Sequence, residues 1–276
     1  MAFSRIAKII TACTASLAAL GGLIVWATAP EKISYEEYKL FQNRFFAHRG
    51  LHTKDRKVPE NSPAAFRRAV EKGYGIELDV QLSWDGEVVV FHDDDLKRVC
   101  GVDAAVDALT LRELKALSLC ETDERIPLFT EVLKIVDGRV PLIVELKSGR
   151  HNAELCRKTL EILRSYDAPF CIESFDPRIV HWFRKEAPEI IRGQLACSRE
   201  SYRKMSKFTA FFLANCLCNF YSRPNFIAYE LTRKSLLVRL AERLGAKKVC
   251  WTSHDPADAV GKDTVIFEFY EPDLFF

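Results

Sequence analysis

The stretch that decides the fold is Gly75-Ile76-Glu77-Leu78-Asp79-Val80, followed after a short break by Val89-Val90-Phe91-His92-Asp93. The two acids of the first run are two positions apart, so a β-strand directs both side chains to one face. The break contains Asp85-Gly86, which is typical of a hairpin turn, and it is too short for a parallel crossover. A hairpin returns the histidine of the second run to the end of the first strand, roughly opposite its aspartate.

Short apolar runs alternate with amphipathic helical patterns along the rest of the chain. The predicted strands are Phe45–His48, Ile76–Val80, Leu142–Leu146, Phe170–Ser174, Ile191–Leu195, Phe226–Tyr229, Lys248–Trp251 and Val265–Phe267. The predicted helices are Ser62–Lys72, Leu128–Val136, Asn152–Ser165, Pro177–Lys185, Ser201–Phe220, Arg233–Leu244 and Ala257–Gly261. Eight strands with helices between them predict an α/β fold, a (β/α)₈ TIM barrel over residues 45–276.

One segment is too long for a simple loop of such a barrel. Residues 93–125 follow the hairpin, and we predict a small insertion over the barrel mouth. It should contain one helix near Leu111–Leu117, which Thr110 can cap.

The first thirty residues differ from the rest of the chain. Arg5 and Lys8 precede an uncharged run, Ile9–Thr28, that as a helix would be about 30 Å long. We therefore predict a single-pass transmembrane anchor over residues 1–30, with residues 31–44 as a polar tether. The basic residues before the span favour a catalytic domain outside the cytoplasm. A cleaved signal peptide is the alternative, because small residues at 27–29 resemble a cleavage site.

Composition bounds the possible partners. The chain has 276 residues, of which 48% are hydrophobic, so it can form a large core. Its formal charge of +2, from 40 basic and 38 acidic residues, gives no case for nucleic-acid binding, which usually needs a strong basic excess. The nine cysteines resemble small buried hydrophobes more than a disulfide framework, which argues weakly against export.

Acidic side chains are predicted to converge at the barrel mouth. Active sites of such barrels lie at the carboxyl ends of the strands, where Glu77, Asp79 and Glu145 would meet. Three close carboxylates repel each other unless a cation lies between them, and oxygen ligands favour Mg²⁺ or Ca²⁺. The structural alternative is a set of salt bridges with Arg49 and Lys147.

Two histidines are the candidate acid–base groups. His48 and His92 end apolar runs, and an unperturbed imidazole titrates at about pH 6.5. Cleavage of a phosphodiester needs one group that accepts a proton and another that donates one. Zinc ligation is an alternative role for these rings. Arg49 and Lys147 would supply positive charge to a phosphate, and Glu60 lies beside the mouth with either a functional or a structural role.

Taken together, these motifs resemble the glycerophosphodiester phosphodiesterases. The matching residues are His48-Arg49-Gly50, Pro59-Glu60-Asn61-Ser62, Glu77-Leu78-Asp79-Val80, Asp85-Gly86, Val89-Val90-Phe91-His92-Asp93, Ile126-Pro127 and Glu145-Leu146-Lys147. Ser174-Phe175 and Trp251-Thr252 are similar to later strand ends of that family. Ser253-His254 departs from the usual aliphatic residue and asparagine, which affects the expected glycerol contacts. The resemblance covers about residues 45 to 270 and leaves out the predicted anchor.

The resemblance implies a phospholipase-C-like barrel that hydrolyses glycerophosphodiesters to glycerol 3-phosphate and an alcohol. It implies a divalent cation at Glu77, Asp79 and Glu145, with His48 and His92 as the proton-transfer pair. In related barrels a neighbouring substrate hydroxyl attacks the phosphate and forms a cyclic phosphate that water opens. The expected substrate-binding residues are Arg49, Lys147, Glu60, Phe175 and Trp251.

Other functions remain open at this point. One is lysophospholipase D or phospholipase-C-like activity on a membrane lipid, and another is a catalytically silent barrel that binds lipid head groups. A Mg²⁺-assisted proton abstractor of the enolase type is a further barrel enzyme, but it gives no reason for the pair His48-Arg49. The apolar helical pattern Phe208–Tyr221 either packs on the barrel or lies on a membrane surface.

Overall fold

The structure is a computed structural model that describes residues 2–203 and 205–276, with the backbone alone for residues 2–13. The strands are β1 (Arg44–Ala47), β2 (Gly75–Leu82), β3 (Val88–Val90), β4 (Leu142–Leu146), β5 (Phe170–Ser174), β6 (Arg192–Ala196), β7 (Phe226–Glu230), β8 (Lys247–Ser253) and β9 (Thr264–Phe267). Apart from β3, these strands pair in parallel, and β1 pairs with both β2 and β9. The sheet therefore closes, and the predicted (β/α)₈ barrel is confirmed.

The helices lie mostly between the strands. They are α1 (Ala2–Thr28), α2 (Tyr35–Tyr38), α3 (Pro63–Lys72), α4 (Lys97–Cys100), α5 (Leu111–Ala116), α6 (Phe129–Val136), α7 (Asn152–Arg164), α8 (Pro177–Glu186), α9 (Lys207–Ala214), α10 (Asn219–Ser222) and α11 (Leu236–Arg243). Short 3₁₀ turns occupy Val106–Ala108 and Pro256–Ala259.

The predicted hairpin and the insertion after it are both present. Strand β3 pairs antiparallel with β2, and the N–H of Phe91 donates to the carbonyl of Asp79, so His92 lies one residue beyond the position opposite that acid. In the insertion, Thr110 forms a capping box with Glu113 at the start of α5, as its sequence predicts. The short helix α4 was not predicted.

The barrel interior has an apolar floor and an acidic mouth. Near the amino ends of the strands, the inward side chains form an apolar cluster that includes Phe46, Ile143 and Phe226. Strand residues alternate between the two faces, so the next inward positions toward the carboxyl ends continue the same rows. There β2, β4 and β5 place Asp79, Glu145 and Glu173 side by side in register. The fold thereby concentrates negative charge at one end of a closed apolar core.

Residues 31–44, predicted as a polar tether, instead pack against the barrel floor. Tyr38 and Phe41 are buried in the interior cluster. The Tyr38 hydroxyl lies 2.9 Å from the hydroxyl of Thr264, and Glu31 pairs with the buried Arg192. The segment is polar in overall composition, but its aromatic residues Tyr38 and Phe41 close the barrel at the amino ends of the strands.

The helix predicted over Ser201–Phe220 is two shorter helices, α9 and α10. The Asn215 side chain donates to the carbonyl of Phe211, and its own N–H bonds that same carbonyl. The next residue, Cys216, adopts a left-handed φ of 51°. Because these features end a helix, a continuous apolar pattern here does not produce a continuous helix.

The predicted membrane span is not supported. Helix α1 extends over Ala2–Thr28, and Leu17, Leu20 and Leu23 on it are exposed. Within the part of the chain whose side chains are described, no helix is both long and apolar enough to cross a bilayer. The first residues of the predicted span, 9–13, lie outside that part. The carboxyl end of α1 contacts the barrel, where Trp26 stacks on Phe220 with ring centroids 5.4 Å apart.

Candidate active site

The structure brings the three predicted metal ligands together at the barrel mouth. Ligand oxygens of Glu77, Asp79 and Glu145 all lie within 4.8 Å of one another, and all three side chains are buried. The Lys147 ammonium lies 2.8 Å from Glu145 Oε1 and 3.3 Å from Asp79 Oδ1. We call Glu77, Asp79 and Glu145 the acidic cluster.

The acidic cluster holds its negative charge unevenly. Burial raises the pKa of Glu77 well above its usual value, and the charges of Asp79, Glu173 and Glu145 raise it further. Burial also raises the pKa of Glu145, against the opposing effect of Lys147. Burial alone would raise the pKa of Asp79 too, but nearby positive groups, first among them Lys147, hold it well below its usual range. Burial and mutual repulsion thus disfavour the ionised forms of Glu77 and Glu145, and a bound cation would offset both effects.

Glu173 adds a fourth acid beside the cluster. It is buried next to Glu145 in the strand register, and its Oε2 has no hydrogen-bond partner among the described residues. Burial raises its pKa well above the usual value, and the charges of Glu145 and Asp79 reinforce that shift. Glu173 was not among the residues predicted for the site, although the inward alternation of side chains on β5 indicates its position.

His92 is oriented by a carboxylate on the neighbouring residue. Its Nδ1 lies 2.7 Å from Asp93 Oδ1, and Asp93 in turn accepts from the Arg98 guanidinium at 2.7 Å. The N–H of Phe91 donates to the carbonyl of Asp79, so the next residue, His92, lies at the end of β2 that carries the acidic cluster. A carboxylate on Nδ1 fixes the ring orientation and leaves Nε2 available for chemistry.

Arg98 and Glu60 link His92 to Arg49, which follows β1. Arg98 donates to both oxygens of Glu60 at 2.6 and 2.7 Å, and Glu60 also accepts from Arg49 at 2.6 Å. Burial would raise the pKa of Glu60, but Arg98 and Arg49 outweigh it and lower the pKa to about 2. Glu60 therefore remains charged and holds two guanidinium groups in place.

Arg49 connects this network to the acidic cluster. Its backbone N–H donates to Glu77 Oε2 at 3.0 Å, and its Nε lies 3.6 Å from Asp79 Oδ2. The Asn61 amide donates to the same Asp79 oxygen at 2.8 Å. The salt-bridge alternative for Arg49 and Lys147 is thus present in the structure, alongside an arrangement that can also bind an anion.

His48 lies in a second cluster at the mouth. Its Nδ1 is 2.9 Å from Glu268 Oε2, and His52 Nε2 is 3.3 Å from the same oxygen. Burial, together with the charge of Arg49, lowers the pKa of His48 to about 4 despite the contact with Glu268. His48 is therefore neutral at pH 7. Among the described residues, His48 and His92 do not share a group of metal-ligating side chains, so zinc ligation by this pair is not supported.

Phe175 and Trp251 form an aromatic wall at the rim. Their rings meet edge to face with centroids 5.6 Å apart, and the Trp251 indole donates to the carbonyl of Ala228 at 3.0 Å. Among the described residues, no hydrogen bond or ion pair joins these two side chains to the acidic cluster. These two rings can therefore pack against the organic part of a substrate, but they offer no charge to its phosphate.

Residues 48–270 match the glycerophosphoryl diester phosphodiesterase family. The chain belongs to this family. It is 36% identical over 160 residues to the glycerophosphodiester phosphodiesterase of Caldanaerobacter subterraneus subsp. tengcongensis, a match that covers 54% of this chain and 65% of that protein. It is 32% identical over 173 residues to Lysophospholipase D GDPD1 of Rattus norvegicus, covering 56% of this chain and 53% of that protein. The matched region thus spans between half and just under two thirds of the length of these relatives.

Solved structures of the glycerophosphodiester phosphodiesterases support the same assignment. A phosphodiesterase of Oleispira antarctica, in complex with the product sn-glycerol-3-phosphate, superposes with a TM-score of 0.68 at 25% identity, covering 84% of this chain and 94% of that chain. The Thermotoga maritima glycerophosphodiester phosphodiesterase gives a TM-score of 0.61 at 28% identity, covering 81% and 93%. The resemblance predicted from the motifs is confirmed.

Four polar residues of the site were not among those predicted from the sequence: Asn61, Arg98, Glu173 and Glu268. Ser62 caps α3, while the preceding residue, Asn61, has a left-handed φ of 53° and donates its side-chain amide to Asp79. The contacts of Arg98 with Glu60 and of Glu268 with His48 span long stretches of chain, which local patterns do not encode.

Proposed function

We propose that this chain hydrolyses glycerophosphodiesters to glycerol 3-phosphate and an alcohol, using Mg²⁺ or Ca²⁺ held by Glu77, Asp79 and Glu145. The observation that carries the proposal is the acidic cluster at the barrel mouth, with Lys147 and His92 beside it. Membership of the family and the printed activity of the Caldanaerobacter relative point to the same reaction.

The donor set fits a hard divalent cation. All three ligands are carboxylates, which suit Mg²⁺ and Ca²⁺ better than metals that prefer nitrogen or sulfur. The raised pKa values of Glu77 and Glu145 reflect a local excess of negative charge that such a cation would relieve. When bound, the cation supplies positive charge that polarises the phosphoryl oxygens.

We assign proton transfer to His48 and His92. The glycerol 2-hydroxyl loses its proton to one imidazole as its oxygen bonds to phosphorus, and the other imidazole protonates the leaving alcohol. His48 is neutral at pH 7 and can accept the proton, and Glu268 stabilises the imidazolium that forms. His92, held by Asp93, is then the donor. Water opens the cyclic phosphate with the two roles exchanged.

The cationic side chains orient the phosphate. Burial would lower the pKa of Lys147, but Glu145 and Asp79 outweigh it and raise that pKa, so the ammonium stays charged. Arg49 is held by Glu60, which we propose acts through Arg49 and not through a substrate contact of its own. Phe175 and Trp251 would pack against the glycerol and its substituents.

The decisive assay uses the full chain with glycerophosphocholine in the presence of Mg²⁺ or Ca²⁺. We expect glycerol 3-phosphate and choline in equal amounts, measured by a coupled dehydrogenase assay and by phosphorus NMR. Phosphocholine as the product would indicate phospholipase-C-like cleavage and contradict the proposal. Absence of both products with either metal would favour the silent head-group-binding barrel.

A membrane location, with the catalytic domain outside the cytoplasm, is a separate proposal. It rests on the sequence of residues 1–30 and on the exposed Leu17, Leu20 and Leu23 of α1. Cell fractionation should place the full chain in the membrane pellet even at high salt, with the barrel open to external protease. Recovery in the soluble fraction would refute this location.

Lysophospholipase D activity is the second candidate function. It is favoured by the Rattus relative of that printed name and by an apolar groove that adjoins the mouth.

A further inference from the structure

An apolar groove lies between the start of α8 and helix α9. Its volume is about 440 Å³. Apolar side chains form most of its lining, chiefly Phe175, Pro177, Met205, Phe208, Phe212 and Leu213. We call it the α8–α9 groove. Such a lining favours an occupant that has little polarity.

The inner end of the α8–α9 groove reaches the catalytic mouth. Ser148 lines the groove and directly follows Lys147, which contacts Asp79 and Glu145. Phe175 also lines it, and its ring packs against Trp251 in the aromatic wall. A molecule whose phosphate lies at the acidic cluster can therefore extend past Phe175 into the groove.

The one carboxylate in the groove lining is already satisfied. Asp176 accepts from Asn152 Nδ2 at 2.9 Å and from the Arg178 guanidinium at 2.6 Å, and it caps α8 through the N–H of Arg178. The Arg178 side chain is largely exposed to solvent. The groove thus offers no unpaired acid to a cation or an amine, and its chemistry is that of an alkyl-chain site.

The outer end of the groove opens on an apolar surface. Phe208 lines the groove and is 72% exposed, and Phe211 on the same helix is 44% exposed. Exposed aromatic side chains beside a groove are typical of a route for an apolar ligand. A chain can therefore enter from this side while its polar end remains at the mouth.

We propose that the α8–α9 groove binds the acyl chain of a 1-acyl lysophospholipid whose phosphodiester lies at the acidic cluster. The inference rests on the proposed function and names its substrate class. In this substrate the glycerol 2-hydroxyl is free, so its oxygen bonds to phosphorus while the bond from phosphorus to the head-group alcohol breaks. The proton lost by the hydroxyl is balanced by the proton that the leaving alcohol gains. Water then opens the cyclic phosphate to give acylglycerol phosphate.

The test compares glycerophosphocholine with 1-acyl-glycerophosphocholines from hexanoyl to dodecanoyl, all kept monomeric. The transfer of each methylene out of water is worth up to about fourfold in kcat/KM. We expect kcat/KM of the full chain to rise with chain length and to level off once the groove is filled. A protein that hydrolyses glycerophosphocholine but none of the acylated substrates, or all of them equally, would overturn the proposal.

A variant with a filled groove distinguishes acyl-chain binding in the groove from nonspecific hydrophobic binding elsewhere on the protein. Thr209 lies in the lining on exposed surface of α9, so Thr209→Trp should fill the groove without disturbing the fold. We expect this variant to lose the chain-length dependence and to keep its activity on glycerophosphocholine. The matched control is Leu236→Trp at an exposed position of α11, which should behave as wild type. A chain-length dependence that survives Thr209→Trp would place the acyl chain elsewhere.

Lack of turnover of every substrate would contradict the proposed function but would not test the groove. A binding measurement tests the groove in that case. Calorimetry would compare dodecanoyl-glycerol phosphate with glycerol 3-phosphate. We expect the acylated ligand to bind at least about tenfold more tightly, and Thr209→Trp to remove the difference. Equal affinities in the full chain would overturn the groove assignment.

Discussion

His92→Ala should lower kcat for glycerophosphocholine hydrolysis by about 10²- to 10⁴-fold, the usual contribution of one positioned proton-transfer group. The ring lies at the barrel mouth, one residue beyond the contact between Phe91 and Asp79, and Asp93 fixes its orientation. The measurement is steady-state kinetics at saturating Mg²⁺. We expect the loss to shrink with a leaving group such as p-nitrophenol, which needs no proton.

The matched control is His181→Ala on α8. His181 Nδ1 lies 2.7 Å from the carbonyl oxygen of Tyr221, and the two rings stack. Among the described residues, its side chain has no hydrogen bond or ring contact with a site residue. Its variant should keep the wild-type kcat. If His92→Ala retained more than about a tenth of kcat, His92 would not be an acid–base group.

Removal of the divalent cation is expected to have the other large effect. EDTA should abolish activity, and Mg²⁺ or Ca²⁺ should restore it in the wild type but not in Asp79→Asn, which lacks one ligand charge. Burial raises the pKa of both Glu77 and Glu145 in the metal-free protein, so protons compete with the cation for these carboxylates. The apparent affinity should therefore fall as the pH falls, with proton release on binding. Calorimetry in buffers of different ionisation enthalpy measures both quantities.

Metal binding should also stabilise the fold. A cation at 100 times its Kd adds about 2.7 kcal/mol to the free energy of unfolding, enough to raise Tm by several degrees. Asp79→Asn should lose this increase, and Asp103→Asn, at an exposed position of the insertion, should keep it. Full activity in EDTA would show that the reaction needs no divalent cation. An equal Tm increase in both variants would show that the cation does not bind at Asp79.

The strands of this barrel were predictable because their pattern is local. An apolar run ended by charged groups defines a barrel strand, and the bounds of β4 and β5 match their predictions at both ends. The acidic cluster followed from alternation on β2 and from the adjacency of β2 and β4. Side-chain alternation and strand adjacency both follow from backbone geometry, which the sequence pattern indicates directly.

The remaining parts of the site depend on contacts that local patterns do not encode. Glu268 reaches His48 only because β9 pairs with β1, which closes the barrel from the far end of the chain. Arg98 reaches Glu60 only once the insertion has folded over the mouth. In the same way, Tyr38 in a polar segment became part of the core because the closed barrel offered it an apolar floor.

The most direct test of the account is anomalous diffraction from crystals grown with Mn²⁺ and glycerol 3-phosphate. We expect an anomalous peak bound by Glu77, Asp79 and Glu145, with a phosphate oxygen in contact with the ion and with His48 and His92 facing the phosphate. A peak at the second cluster of His48, His52 and Glu268 with none at the three carboxylates, or a phosphate bound away from them, would contradict the central claim.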